Sequence, residues 1–251
     1  MQLFEAVELN RGETICFVGA GGKTSLMLRL ASECRSRRRR VLVTTSTLMF
    51  DWQLLGCGDL ILDADEGQLL TKLKAVDKAN LTIAAGREFR DGGKVAGLRC
   101  GFLDDVGRAG LFDNLLVEAD GARCRPLKAP ASHEPVVPAS TACVLAVIGV
   151  EALGFPLTEQ YVQRPFLAAE IAGQEAGSMI TGSTVYRLIG YYMDAVRQIA
   201  PNSRFIPVIN KVDNQELRCK ASEIAKWLLP LSGRVLIAAA LQSDPVLEVL
   251  S

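Results

Sequence analysis

Aromatic side chains are scarce in this sequence, at 6% of 251 residues, and neither sign of charge prevails, with 28 Lys and Arg against 28 Asp and Glu. That balance excludes a chain drawn as a whole to nucleic acid or an anionic membrane, so any anion site must be local. Cys-x-x-Cys pairs are absent. The seven cysteines, Cys16, Cys34, Cys57, Cys100, Cys124, Cys143 and Cys219, are odd in number and scattered, which fits neither a disulfide framework nor a zinc cluster and reads as reduced thiols. Long apolar runs are also missing. The longest, Cys143 to Val150, is far short of a membrane span, and the N-terminus carries Glu5, Glu8 and Glu13 in place of a basic-then-apolar leader. The expectation is a cytoplasmic protein with neither nucleic acid nor membrane as partner.

What is present is aliphatic. Hydrophobic residues make up 49% and mean hydropathy is +0.21, which suits buried parallel strands and argues against disorder. Short apolar runs predict strands near 13–18, 41–46, 81–85, 113–118, 142–149, 204–209 and 234–239. Amphipathic stretches predict helices near 23–36, 65–76, 183–199, 214–229 and 244–250. The alternation predicts one α/β domain over residues 1–251, with a three-layer α/β/α fold, a mostly parallel central sheet and its ligand edge at the strand C-termini; with Gly22-Lys23-Thr24 following the first strand, the expected fold is of the P-loop NTPase kind. Residues 120–140 form the longest loop-like region. The basic run Arg37 to Arg40, with Arg35, reads as a solvated complement to the end of the first long helix, and it lacks the aromatics that base stacking needs.

The chemistry starts at "GAGGKTS", residues 19–25. In the usual phosphate loop a glycine, four residues and Gly-Lys-Ser/Thr follow a strand, and counting back from Gly22-Lys23-Thr24 puts Phe17 where that first glycine belongs. The active half survives. Gly19, Gly21 and Gly22 allow backbone to approach an anion, Lys23 supplies charge at a helix N-terminus, and Thr24 or Ser25 offers Mg2+ a hydroxyl. A similarly shortened Gly-x-x-Gly-Lys-Thr loop occurs in some nucleotide-dependent ligases.

Three further segments bear on the same site. In "FDNLLVEADGA", residues 112–122, Glu118 and Asp120 emerge at a strand's C-terminal end, where a carboxylate holds Mg2+ or orients water. In "FIPVINKVD", residues 205–213, Asn210-Lys211-Val212-Asp213 is the pattern that reads guanine: Asp213 accepts from the base, Asn210 braces the loop and the Lys211 stem packs over the ring. Its structural alternative is an Asx turn capping a helix that starts near Asn214. In "VLVTTSTLMF", residues 41–50, the hydroxyls from Thr44 to Thr47 are either a switch near the γ-phosphate or ordinary strand formers.

With these stretches, and with "LLVEADGARCRPLKAPASHEPVVP" and "RPF" at 164–166, the chain resembles the YqeC family, described as accessory proteins of selenium-dependent molybdenum hydroxylases. More distantly, the Glu118 to Gly121 and Asn210 to Asp213 signatures are similar to those of the nickel-insertion GTPases UreG and HypB, whose metal-binding Cys and His motifs have no counterpart here. The resemblance implies a metalloenzyme client or a cofactor-biosynthesis partner. Within the family stretch, Arg123, Arg125 and Lys128 crowd one loop and His133 is the only imidazole, so Arg123 and Lys128 are candidate phosphate clamps and His133 a candidate acid or base.

The expected function is a Mg2+-dependent hydrolase of GTP or ATP, with GTP preferred. Its rivals are an ATP-dependent small-molecule kinase or ligase, whose acceptor pocket would be Arg123, Arg125, Lys128 and His133, and a non-catalytic nucleotide module that orders a partner surface. Oligomeric state is left open, with room for a homodimer.

Overall fold

The computed structural model describes residues Met1 to Ser251. In chain order its first half forms α1 (Leu3–Ala6), β1 (Glu13–Gly19), α2 (Lys23–Ser36), β2 (Val41–Thr45), β3 (Leu48–Phe50), α3 (Asp51–Leu55), β4 (Asp59–Leu62), α4 (Glu66–Ala75), β5 (Thr82–Gly86), β6 (Phe89–Arg90), β7 (Lys94–Ala96), α5 (Cys100–Arg108) and β8 (Asn114–Glu118). The second half forms β9 (Leu127–Lys128), β10 (Thr141–Gly149), a 3-10 turn at Val150–Ala152, β11 (Val162–Gln163), α6 (Pro165–Ala172), α7 (Gly182–Ile199), β12 (Arg204–Asn210), α8 (Gln215–Ser232), β13 (Val235–Ala238) and β14 (Val246–Leu250).

Nine strands make the central sheet in the order β14-β13-β12-β10-β1-β8-β2-β5-β4. Every pairing is parallel except that of β13 with the edge strand β14. The period-2 alternation of a strand sends successive side chains to opposite faces, and β1 shows the result. Ile15 and Phe17 join the core under α1, α2 and α3, while Cys16 and Val18 join the larger core under α4 to α8. The expected three layers are therefore present. A fully buried Leu or Ile in such a layer stabilises the fold by about 1.5–3 kcal/mol relative to exposure.

All the expected strands form. The helix expected at 244–250 does not: Val246–Leu250 is the antiparallel edge strand. A seven-residue stretch with four apolar side chains fits either period, and pairing decided it, with Val235 opposite Leu250 and the Met1 carbonyl accepting from the Val246 amide. The edge strand β4, the amphipathic α5, the mostly apolar α6, and the small sheet β3-β7-β6 were not anticipated. The basic run is less solvated than expected. The Arg37 and Arg39 guanidinium groups each lie 4.5 Å from the Phe4 ring centre, and Arg40 donates to the carbonyls of Leu111 and Val76. Arg37, Arg39 and Arg40 fasten chain segments together, while Arg35 and Arg38 stay exposed as expected. All seven cysteines are free, and burial pushes the Cys16, Cys34 and Cys143 thiols up to about 12.

Parallel pairing fixes where a site can be. Phe17 is level with Glu118, Gly19 with Val147, and Gly149 with Asn210. The C-terminal ends of β8, β1, β10 and β12 thus lie along one rim, in the crevice where open α/β sheets take ligands.

Candidate functional site

The loop after β1 is tight because its glycines allow it. Gly21 has φ 75° and a Cβ there would lie 2.1 Å from the Gly149 nitrogen; Gly22 has φ 110° and a Cβ there would lie 2.5 Å from Asn210 Nδ2. The first half of the loop is bonded within the protein: the Gly19 amide donates to Asp120 Oδ2, Ala20 to the Val147 carbonyl and Gly21 to the Arg125 carbonyl. Phe17, at the place of the missing glycine, is a fully buried strand residue. The shortened loop therefore begins only after the strand has ended. The donors left for an anion are the first-turn amides of α2, from Lys23 to Ser25, on a helix of 14 residues with no side-chain cap. Such amides have no intrahelical acceptor and lie at the positive end of the helix dipole.

The two carboxylates that follow β8 have different surroundings. Glu118 accepts from the Thr24 hydroxyl at 2.6 Å, and burial raises its pKa above the ordinary carboxylate value. Asp120 is fully buried. Its Oδ2 accepts from the Gly19 amide (3.0 Å) and the Tyr192 hydroxyl (2.8 Å) and lies 3.1 Å from Lys128 Nζ, while Oδ1 faces Lys23 Nζ at 3.0 Å. Burial works against its charge, but Lys23 and Lys128 outweigh it and hold its pKa low. Burial likewise opposes the Lys23 ammonium, which Asp120 and Glu118 keep raised above the usual lysine value. Lys23 also donates to the Gly19 carbonyl at 2.7 Å. Of the expected ligand set Thr24, Glu118 and Asp120, Asp120 is paired with that ammonium, which a metal ion there would have to displace, while Thr24 and Glu118 bond each other.

At the end of β12, Asn210 is 1% exposed. Its Nδ2 donates to the Gly21 carbonyl at 2.9 Å, and its Oδ1 accepts from the Ala240 amide at 3.1 Å. The Asn-Lys-x-Asp loop is thereby tied to the glycine loop on one side and to the segment after β13 on the other. Lys211 has φ 64° and pairs with Glu151. Asp213 is exposed, and the Asx cap on α8 belongs to Asn214, which accepts from the Leu217 amide at 2.9 Å.

Lys128 corrects an expectation. It is fully buried on β9, 3.0 Å from Glu134 as well as 3.1 Å from Asp120, and burial lowers its pKa. It is already neutralised and is no free clamp. Arg123 and His133 are exposed, so the cations and the imidazole do not share one pocket with Lys128, and Arg125 contributes its carbonyl to Gly21. The hydroxyls at the end of β2 and just beyond it are also bonded within the protein: Thr44 donates to the Ala85 carbonyl, Thr45 to that of Glu118 and Ser46 to that of Val136. Thr45 braces Glu118, as does the Ser46 amide, which donates to the same carbonyl.

Sequence reasoning missed Tyr192 and gave no role to Glu134 or Arg164. Burial opposes the Glu134 charge, yet the Ala131 amide, Lys128 and Arg164 hold its pKa low, and Arg164 Nη1 lies 2.7 Å away. Both lie in stretches singled out for their resemblance to a family. Tyr192 sits on the buried stripe of α7 with Val185, Leu188, Ile189 and Val196; a hydroxyl at a core position of a helix needs a partner, and that was the available signal.

No three His, Cys, Asp or Glu side chains gather as a metal cage, and no helix is long and apolar enough to cross a membrane. Residues 15–166 match the family model described as YqeC protein. The Uncharacterized protein YqeC of Escherichia coli (strain K12) is 31% identical over 245 residues, covering 94% of this chain and 91% of that one. Among solved structures, the MinC:MinD cell division protein complex of Aquifex aeolicus superposes with a TM-score of 0.50 at 12% identity, over 91% of this chain and 81% of that one. That likeness shows the fold, which is the P-loop NTPase fold.

Proposed function

We propose that this chain, which belongs to the YqeC family, binds a purine nucleotide with Mg2+, prefers GTP, and hydrolyses it slowly. The observation that carries this reading is the pair of hydrogen bonds through which Asn210 joins the glycine loop to the segment after β13. A base reader and a phosphate loop serve one ligand only when they are held in fixed relation, and this amide holds them.

In this reading the α2 amides and Lys23 take the β- and γ-phosphates, with Gly19, Gly21 and Gly22 giving the loop its path. Asp213, with no competing partner on its exposed side chain, accepts from the guanine N1 and N2 hydrogens, and Lys211 leaves Glu151 to lie along the base. One hydroxyl and one carboxylate, Thr24 and Glu118, suit Mg2+, which takes few protein ligands and completes its shell with phosphate oxygens and water. When bound, Mg2+ would offset negative charge developing on those oxygens. A cytoplasmic location is supported by the scattered free cysteines, and the role in maturation of a selenium- or molybdenum-containing hydroxylase rests on the family resemblance.

Phosphate release from GTP and ATP in Mg2+, by wild type and by Lys23→Ala, tests the reading. Release faster from GTP and abolished in Lys23→Ala supports it; release that survives Lys23→Ala sinks it. One observation favours a second reading, an ATP-dependent kinase or ligase: the shortened loop commits its first three amides within the protein. ATP preference, unchanged in Asp213→Asn, would move the assignment there.

A further inference from the structure

The phosphate-loop lysine already has an anion. Lys23 is 4% exposed and its ammonium sits 3.0 Å from Asp120 Oδ1, so a phosphate at the α2 amides must compete for it. Behind Asp120 runs a continuous line of alternating charge. Lys128 lies 3.1 Å from Asp120 and 3.0 Å from Glu134, and Glu134 lies 2.7 Å from Arg164. Arg164 is the residue before α6, with φ 66°, and its guanidinium also donates to the Ala129 carbonyl. Phe166, in the first turn of α6, is 75% exposed.

We propose that Asp120 is a built-in competitor of the nucleotide phosphate for Lys23, and that the exchange is felt at the start of α6 through Lys128, Glu134 and Arg164. The inference rests on the function proposed above, since it needs a phosphate to compete. When Lys23 turns to phosphate, Asp120 stays buried with the Gly19 amide, the Tyr192 hydroxyl and Lys128 as its remaining partners. Those three are positioning groups: they let the lysine leave without stranding a carboxylate in the interior, where an unpaired charge is costly. With Lys128 drawn toward Asp120, Glu134 depends more on Arg164, and the first turn of α6 tightens. Tyr192, Glu134 and Arg164 thereby acquire a role in setting nucleotide affinity although none of them touches the ligand.

Two substitutions separate this from a metal-ligand role for Asp120. Asp120→Asn removes the competing charge, and affinity for a non-hydrolysable GTP analogue in Mg2+ is expected to rise by about tenfold or more; a metal ligand would give a fall. Tyr192→Phe keeps the ring and removes one donor from Asp120, and affinity is expected to fall about three- to tenfold with the folded state retained. In wild type, amide exchange at Ala168 and Ala169 slows when the analogue binds, and in Asp120→Asn it does not. Weaker binding in Asp120→Asn, unchanged affinity in Tyr192→Phe, or exchange at α6 indifferent to the analogue would each overturn the proposal while leaving nucleotide binding intact. Wild type that binds no nucleotide would overturn the function and this competition together.

Discussion

Truncating Asn210 to alanine separates the brace from the base contact in a way that can be worked out beforehand. The side chain makes two buried hydrogen bonds, to the Gly21 carbonyl at 2.9 Å and from the Ala240 amide at 3.1 Å. Each contributes about 0.5–1.5 kcal/mol net, and stranding a buried backbone partner costs about 1–3 kcal/mol. Asn210→Ala is therefore expected to lose about 2–5 kcal/mol of stability, read as a lower urea midpoint with an unchanged slope. It should weaken GTP and ATP binding alike, because the glycine loop itself loses its support. Asn210→Asp has the same shape but sets a carboxylate oxygen against the Gly21 carbonyl, and should be no more stable than the alanine variant. Asp213→Asn, on an exposed side chain, is expected to stay within about 0.5 kcal/mol of wild type. It should nevertheless lower guanine over adenine selectivity by about 10²-fold, the equivalent of two charge-assisted hydrogen bonds. If Asn210→Ala is as stable as wild type, or if Asp213→Asn alters stability and leaves selectivity alone, the reasoning is wrong.

Other outcomes follow from the same geometry. Thr24→Val keeps the volume and loses the hydroxyl that bonds Glu118 at 2.6 Å; Mg2+-dependent turnover should drop about 10²-fold or more, while calorimetry still detects nucleotide in the absence of Mg2+. Gly21→Ala must hold φ near 75° with a Cβ 2.1 Å from backbone at Gly149, and should cost about 2 kcal/mol or more by chemical denaturation. Asp120 and Glu134 have folded-state pKa values below their ordinary 3.8 and 4.5. The unfolded chain then binds more protons, so their stabilisation is complete above those ordinary values and is lost as pH falls through the folded ones. Urea midpoints measured from pH 6 downward should fall more steeply for wild type than for Asp120→Asn; equal slopes would contradict the assignment.

The periodic parts of this fold were legible because buried parallel strands read as apolar runs and long helices as amphipathic ones. The edge at Val246–Leu250 was not, because seven residues fit both periods until β13 supplies a partner. In the site, Lys23, Thr24, Glu118 and Asn210 could be named from local pattern, since each stands at the end of a strand or the start of a helix. Asp120 was named for a metal or a water, but its pairing was not legible, because its neighbours are far off in sequence: Tyr192 is 72 positions away. The burial of Lys128, read as a candidate phosphate clamp, was not legible for the same reason. A lysine in a polar loop looks solvated until the fold closes over it, and the carboxylates that permit its burial are not local to the stretch that holds it.

Calorimetric titration of GTP and ATP analogues in Mg2+ into the wild-type chain and into Lys23→Ala reaches the central claim most directly. One site per chain, tighter for the GTP analogue and lost in Lys23→Ala, is the result expected from a phosphate loop and a base reader held together by Asn210. A folded wild-type chain that takes up neither analogue, or a Lys23→Ala variant that binds as well as wild type, would contradict it.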